Sequence, residues 1–149
     1  MKEIVFGEKL EGVDYFKRPG VYGIALNEHG EVAIVKTPTG YFLPGGGIEG
    51  NESHSECLQR EFLEETGCEI QIEKFIGEAH QYYYSEELER HVYSIGYFYE
   101  VILKNKTMDS IEDDHELQWF EPEKCTKLLL LQNQSWAVLE LLKRKRSVP

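Results

Sequence analysis

The sequence predicts an α+β fold, a mixed β-sheet lying between helices, from three observations. Extended segments recur from Val21 to Phe120, a helix with clear ends interrupts them between Ser53 and Gly67, and an amphipathic helix follows them from Asn133 to Arg146. Strands with helices both within and after them make a sheet covered on both faces. The 149 residues contain no repeat, low-complexity tract or linker, so one domain over 1–149 is expected, burying about two thirds of its surface.

The elements follow in order. Met1–Arg18 is weakly patterned, with one edge strand around Ile4–Phe6 and a loop after it. Val21–Leu26 and Glu31–Lys36 read as strands joined by the turn Asn27-Glu28-His29-Gly30. Thr37-Pro38-Thr39-Gly40 makes a second turn, and Tyr41–Leu43 a short strand stopped by Pro44. Ile70–Glu78 and His80–Tyr84 read as extended, and Ser85–Arg90 as a polar loop. Val92–Leu103 is the longest strand, with Tyr93, Ile95, Tyr97, Tyr99, Val101 and Leu103 on one face. After the polar loop Lys104–Asp114, Glu116–Phe120 is a strand. Pro122 opens a short helix through Leu129, because proline suits the first helical turn. The last helix, Asn133–Arg146, is expected to be amphipathic, with Trp136, Leu139 and Leu142 on one side.

Charge and composition exclude several classes. A net charge of −11 argues against sequence-independent binding to a nucleic-acid backbone, and an anionic substrate would need cations to offset repulsion. No run of eighteen apolar residues exists to span a membrane. The N-terminus lacks the apolar run of a signal peptide. Cys57, Cys68 and Cys125 are odd in number and lack C-x-x-C spacing, which disfavours a disulfide framework or a zinc site and points to the reducing cytoplasm. The five histidines have no i,i+4 metal spacing. Lys143–Arg146 reads as a solvated helix end, where cations complement the macrodipole.

The chemistry concentrates between Gly45 and Cys68. Ser53-His54-Ser55-Glu56 fits a capping box, and Gly67 supplies the helix stop. Leu58 and Phe62 give that helix an apolar side. Glu61, Glu64 and Glu65 fall on one side within about one turn. Like charges at i,i+4 cost an isolated helix roughly 0.2–0.5 kcal/mol per pair, so the cluster opposes local stability and marks a functional place. A divalent cation is the natural compensator. Oxygen-rich sets of this kind suit Mg²⁺, which is commonly shared with substrate phosphates, better than zinc. Arg60, with Glu56 and Glu64 four residues to either side, can hold a carboxylate in a fixed orientation. The residues alone therefore point to metal-assisted hydrolysis of a phosphate compound.

Gly46, five residues, Glu52, seven residues and then Arg60-Glu61-Phe62-Leu63-Glu64-Glu65-Thr66-Gly67-Cys68 resembles the Nudix box, Gly-x5-Glu-x7-Arg-Glu-U-x-Glu-Glu-x-Gly-U, with U a bulky aliphatic residue. Every glycine, arginine and glutamate matches; Phe62 and Cys68 depart at the two apolar positions. The resemblance implies an α/β/α sandwich and cleavage of a diphosphate linkage in a nucleoside diphosphate joined to a further group X. The substrate would be a nucleoside triphosphate, an oxidised nucleotide or a dinucleoside polyphosphate. It implies that Glu61, Glu64 and Glu65, with the carbonyl of Gly45, hold Mg²⁺ or Mn²⁺, and that Arg60 and Glu52 orient them. Gly46 and Gly47 would let the substrate approach the backbone. The general base varies in the family between a box glutamate and an acid outside the box; here Glu116, at the end of the acidic run Glu112-Asp113-Asp114, is the expected extra base or ligand. Tyr84 lies where family members acting on dinucleoside polyphosphates carry a tyrosine, while a proline common in ADP-ribose hydrolases is absent. The partner is then a small nucleotide, with the protein a monomer or homodimer.

Two other readings stand beside this one. Gly45-x-Gly47-x-x-Gly50 matches a dinucleotide fingerprint, but Ser53 opens the helix and hairpin strands precede the motif where a βαβ unit should begin. A Nudix-fold sensor that binds a nucleotide without turnover is the alternative class. Such sensors usually lose box glutamates.

Overall fold

The computed structural model describes residues 3–146; residues 1–2, the start of the weakly patterned N-terminal stretch, and 147–149 lie outside it. Eight strands and three helices follow in the order β1 (Val5–Phe6), β2 (Phe16–Ala25), β3 (Val32–Thr37), β4 (Gly40–Phe42), β5 (Gly45–Gly47), α1 (His54–Thr66), β6 (Cys68–Ser85), β7 (Arg90–Lys106), β8 (Glu116–Phe120), α2 (Pro122–Leu128) and α3 (Gln132–Arg146). The α+β class holds, with the strands divided into a mixed sheet β1-β6-β7-β2-β5 and a small antiparallel sheet β4-β3-β8.

Period-two alternation along β2 and β3 builds a core on each face of the sheets. Tyr22, Ile24, Val32 and Ile34 join Phe98, Ala137, Val138 and Leu141 on the α3 side. Val21, Ala25 and Ala33 join Cys57, Leu58, Phe62 and Val101 on the α1 side. β7 serves both: Tyr97, Tyr99, Val101 and Leu103 face α1, as their spacing requires, and Phe98 faces α3.

Three elements depart from expectation. β2 begins at Phe16, inside the stretch read as loop, and pairs in parallel with β7 from Phe16↔Val92 onward. Pro19 is tolerated because its carbonyl, and so its nitrogen, faces the β5 side, where the ladder has ended at Gly20↔Gly47. Ile70–Glu78 and His80–Tyr84 form one strand, β6, whose register shifts around Phe75 and Gly77. A Cβ on Gly77 would lie 2.7 Å from Cη2 of Trp136, so glycine clears the seat for that ring.

The third departure corrects the buried face of α3. Asn133, Gln134, Ala137, Val138 and Leu141 are buried, whereas Leu139 is 52% exposed and Trp136 and Leu142 are only partly covered. The largest apolar side chains do not mark the inner face because two amides take core positions. Gln134 Oε1 accepts from the Leu43 N–H (2.7 Å), and Asn133 Nδ2 donates to the Ala79 carbonyl (3.1 Å). The basic end of α3 is also not simply solvated. Arg144 donates to the carbonyls of Phe75 (3.0 Å) and Ile76 (2.5 Å), and Lys145 pairs with Glu100 (2.6 Å).

Candidate active site

The site is assembled where α1 crosses β5. Ser53 caps α1: Glu56 N–H donates to Ser53 Oγ (3.1 Å), and Ser53 N–H to Glu56 Oε1 (2.9 Å). Phe62 anchors the helix by packing on Gly23, where a Cβ would stand 2.7 Å from the ring. With Leu58 and Phe62 turned inward, the helical period leaves Glu61, Glu64 and Glu65 at the edge of the α1–β5 contact. The triglycine is a strand, not a loop. Gly45 has φ of 143°, and a Cβ there would meet the Val21 carbonyl at 2.2 Å; a Cβ on Gly46 would lie 2.6 Å from the Glu61 carboxylate. Only glycine lets the two elements come this close.

Arg60 is the hub. Its Nε and Nη2 donate to the two oxygens of Glu52 (2.6 and 3.0 Å), Nη1 donates to Glu61 (2.9 Å) and Glu64 (3.2 Å), and Nη2 also reaches the Gly47 carbonyl (3.1 Å). Hydrogen bonds from Arg60, then from the Glu49 N–H, hold the Glu52 carboxyl down at about 2. Burial has the opposite effect on the inner pair. It raises Glu61 above the usual carboxylate range, and raises Glu65 further, helped by the Glu61 charge and by the hydrogen bond the two share. The Gly45 N–H pulls Glu65 back only in part. The arrangement is short of positive charge at its most buried point.

The segment after β7 completes this wall by capping the end of α1. Gly67, at φ of 74°, accepts from the Thr107 N–H (2.9 Å), while the Glu64 carbonyl accepts from the Ile111 N–H (3.0 Å) and Ser110 Oγ (2.9 Å). That clasp brings Glu112 into the field of Glu65.

In front of the carboxylates lies a cleft of about 280 Å³. Gly45, Gly46, Glu61 and Glu65 form its floor, and Phe42, Leu130 and Tyr84 part of its walls. Tyr84 is 53% exposed, at the mouth. Gly47 and Glu64 lie outside this cleft, Gly47 facing a neighbouring groove and Glu64 on Arg60. Glu116 is not brought to the site. It opens β8 exposed, opposite Lys36, and from its segment Glu112 and His115 line the cleft instead. Arg18, Tyr83, Glu86 and Glu87 also line it. Nothing in periodicity or motif singled out Arg18, which sits before the first patterned strand residue.

Glu112, Asp114 and His115 can also bring three ligand atoms within 4.8 Å of one another. The donors that surround the buried pair, Glu61, Glu64, Glu65 and backbone, are all oxygen, which fits a hard divalent cation.

The NUDIX domain family model matches residues 16–142. Among solved structures, the fold is similar to that of a NUDIX hydrolase from Nitrosomonas europaea (TM-score 0.66, 16% identity, 87% of this chain and 91% of that one). It is also similar to a MutT protein from Methanosarcina mazei Go1 (TM-score 0.60, 23% identity, 93% and 99% covered) and to an ADP-ribose pyrophosphatase from Streptococcus suis 89-1591 (TM-score 0.64, 16% identity, 89% and 94% covered).

Proposed function

The chain belongs to the NUDIX family, and from that premise we propose that it is a Mg²⁺-dependent pyrophosphohydrolase. It cleaves the diphosphate linkage of a nucleoside diphosphate joined to a group X, in a nucleoside triphosphate, an oxidised nucleotide or a dinucleoside polyphosphate. The observation that carries this reading is the Arg60-tethered set of box glutamates, complete and set against the Gly45–Gly46 backbone at the floor of a cleft.

Glu61, Glu64, Glu65 and Gly45 hold the cation, with Mn²⁺ as the alternative ion. When bound, it polarises phosphoryl oxygens and lowers the pKa of a water. Arg60 and Glu52 keep the carboxylates in one orientation, and partners of this kind are worth roughly 10- to 100-fold in metal affinity or activity. Glu112, which lines the cleft where Glu116 does not, is the acid outside the box to which we assign the proton of the attacking water. Gly46 lets the diphosphate approach the backbone, while Tyr84, Phe42 and Leu130 offer the nucleoside an aromatic and apolar wall. No described helix is long and apolar enough to cross a membrane; one NUDIX domain over 1–149, a cytoplasmic setting and a monomer or homodimer are parts of the same proposal.

A panel of nucleoside triphosphates, an oxidised nucleotide, dinucleoside polyphosphates and ADP-ribose, assayed with Mg²⁺, tests it. Turnover that falls at least about 100-fold in Glu64→Gln or Glu65→Gln supports the enzyme. Thermal stabilisation by a panel member without turnover would instead identify a sensor.

A further inference from the structure

Arg18 is the only permanent cation among the described residues lining the main cleft, where it faces the carboxylates Glu61, Glu65, Glu86, Glu87 and Glu112. Among the described residues no carboxylate comes within ion-pair distance of it. Its charge is nonetheless secure: burial pulls its pKa down, but Tyr22, Tyr83, Glu87 and Glu61 together outweigh that and leave it raised. A guanidinium that engages no carboxylate, with only the Tyr83 hydroxyl beside it, keeps N–H donors of its fork for an anion.

Its position says which acceptor fits. Beyond the main cleft runs a second groove lined by Phe16, Lys17, Pro19, Gly47, Ile48 and Glu49, and Arg18 and Glu61 are the two residues that line both. A Cβ on Gly47 would stand 3.0 Å from Arg18 Nε, so the side chain lies against bare backbone at the crossing. The Tyr83 hydroxyl, beside both Arg18 and Ser85, braces it from the cleft side. A ligand reaching from cleft to groove would lie against both Glu61 and this guanidinium, the residues common to the two.

We propose that Arg18 is the protein's phosphate clamp, a binding residue that grips the substrate's diphosphate where it passes from the main cleft into the second groove, so that X occupies that groove. The assignment rests on the pyrophosphohydrolase reading for the identity of the substrate, but not for the anion contact itself. Arginine suits the role because its planar fork matches phosphate oxygens in pairs, which an ammonium cannot do. The clamp also orients the bridge relative to Glu61, the other residue common to cleft and groove.

The test is calorimetric binding of ADP and of inorganic pyrophosphate, with Mg²⁺ present, to wild type, Arg18→Gln, Arg18→Lys and the distant charge control Lys104→Gln. Loss of charge-assisted hydrogen bonds predicts roughly ten- to hundred-fold weaker binding in Arg18→Gln, with Arg18→Lys between it and wild type and Lys104→Gln unchanged. On any substrate turned over, KM rises by more than kcat falls. If Arg18→Gln does not fold, Arg18→Lys decides alone, since it keeps the charge and loses the fork; affinity equal to wild type overturns the clamp. So does a wild type that binds neither probe, or equal weakening by Lys104→Gln. Should no panel compound be hydrolysed while Arg18→Gln still loses pyrophosphate, the hydrolase reading falls and the clamp stands.

Discussion

Glu52 and Glu65 carry the same side chain and are pushed in opposite directions within one small site. Glu52 is held at about 2 by Arg60 and the Glu49 N–H, so its contribution to stability is present above the ordinary carboxylate value of 4.5 and is lost as pH falls through about 2. Glu65 is raised by burial and by Glu61, so its contribution is present below 4.5 and is lost as pH rises through its elevated folded value. Melting temperatures of the metal-free protein followed upward from pH 4.5 should therefore decline, and Glu65→Gln should flatten that decline. Added Mg²⁺ should flatten it too, because a cation favours the ionised pair. Glu52→Gln should instead narrow its deficit against wild type as pH drops from 4.5 towards 2.

At the scale of elements, the α1 terminus and the loop after β7 are one unit. A Cβ on Gly67 would sit 1.9 Å from the Met108 carbonyl, in a left-handed conformation that non-glycine residues adopt reluctantly. Gly67→Ala should cost about 1–2 kcal/mol in backbone strain alone. It should also lower kcat by detaching the segment that carries Glu112. Chemical denaturation and steady-state kinetics on the same preparation check both effects. This coupling could not be read from the sequence. The capping box and the glycine stop of α1 are local chemistry and were legible, as was the box from Gly46 to Cys68. Which acid of residues 112–116 faces the cleft depends on the turn made by residues 107–112, and that turn is set by contacts with carbonyls of another element. Arg18 was hidden for a related reason: its partners come from β6 and β5, far away in the chain.

For the whole molecule, the fold class was legible because strand and helix periods are local properties, whereas the division into two sheets is not. β2 and β3 read as a simple hairpin, yet their backbones pair only at the bridge Leu26↔Val32, just past β2, before the strands join different sheets. The inward face of α3 was misread because Asn133 and Gln134 are buried by long-range hydrogen bonds to β6 and to Leu43, which size and hydropathy do not reveal. The irregular middle of β6 is likewise finished from afar, by Trp136 over Gly77 and Arg144 on the Phe75 and Ile76 carbonyls. During synthesis, residues 72–77 must then wait on the ribosome for some sixty later residues before their strand can settle. A nascent chain arrested before Gln132 should stay open to protease around Phe75, and one carried past Arg146 and clear of the exit tunnel should become resistant.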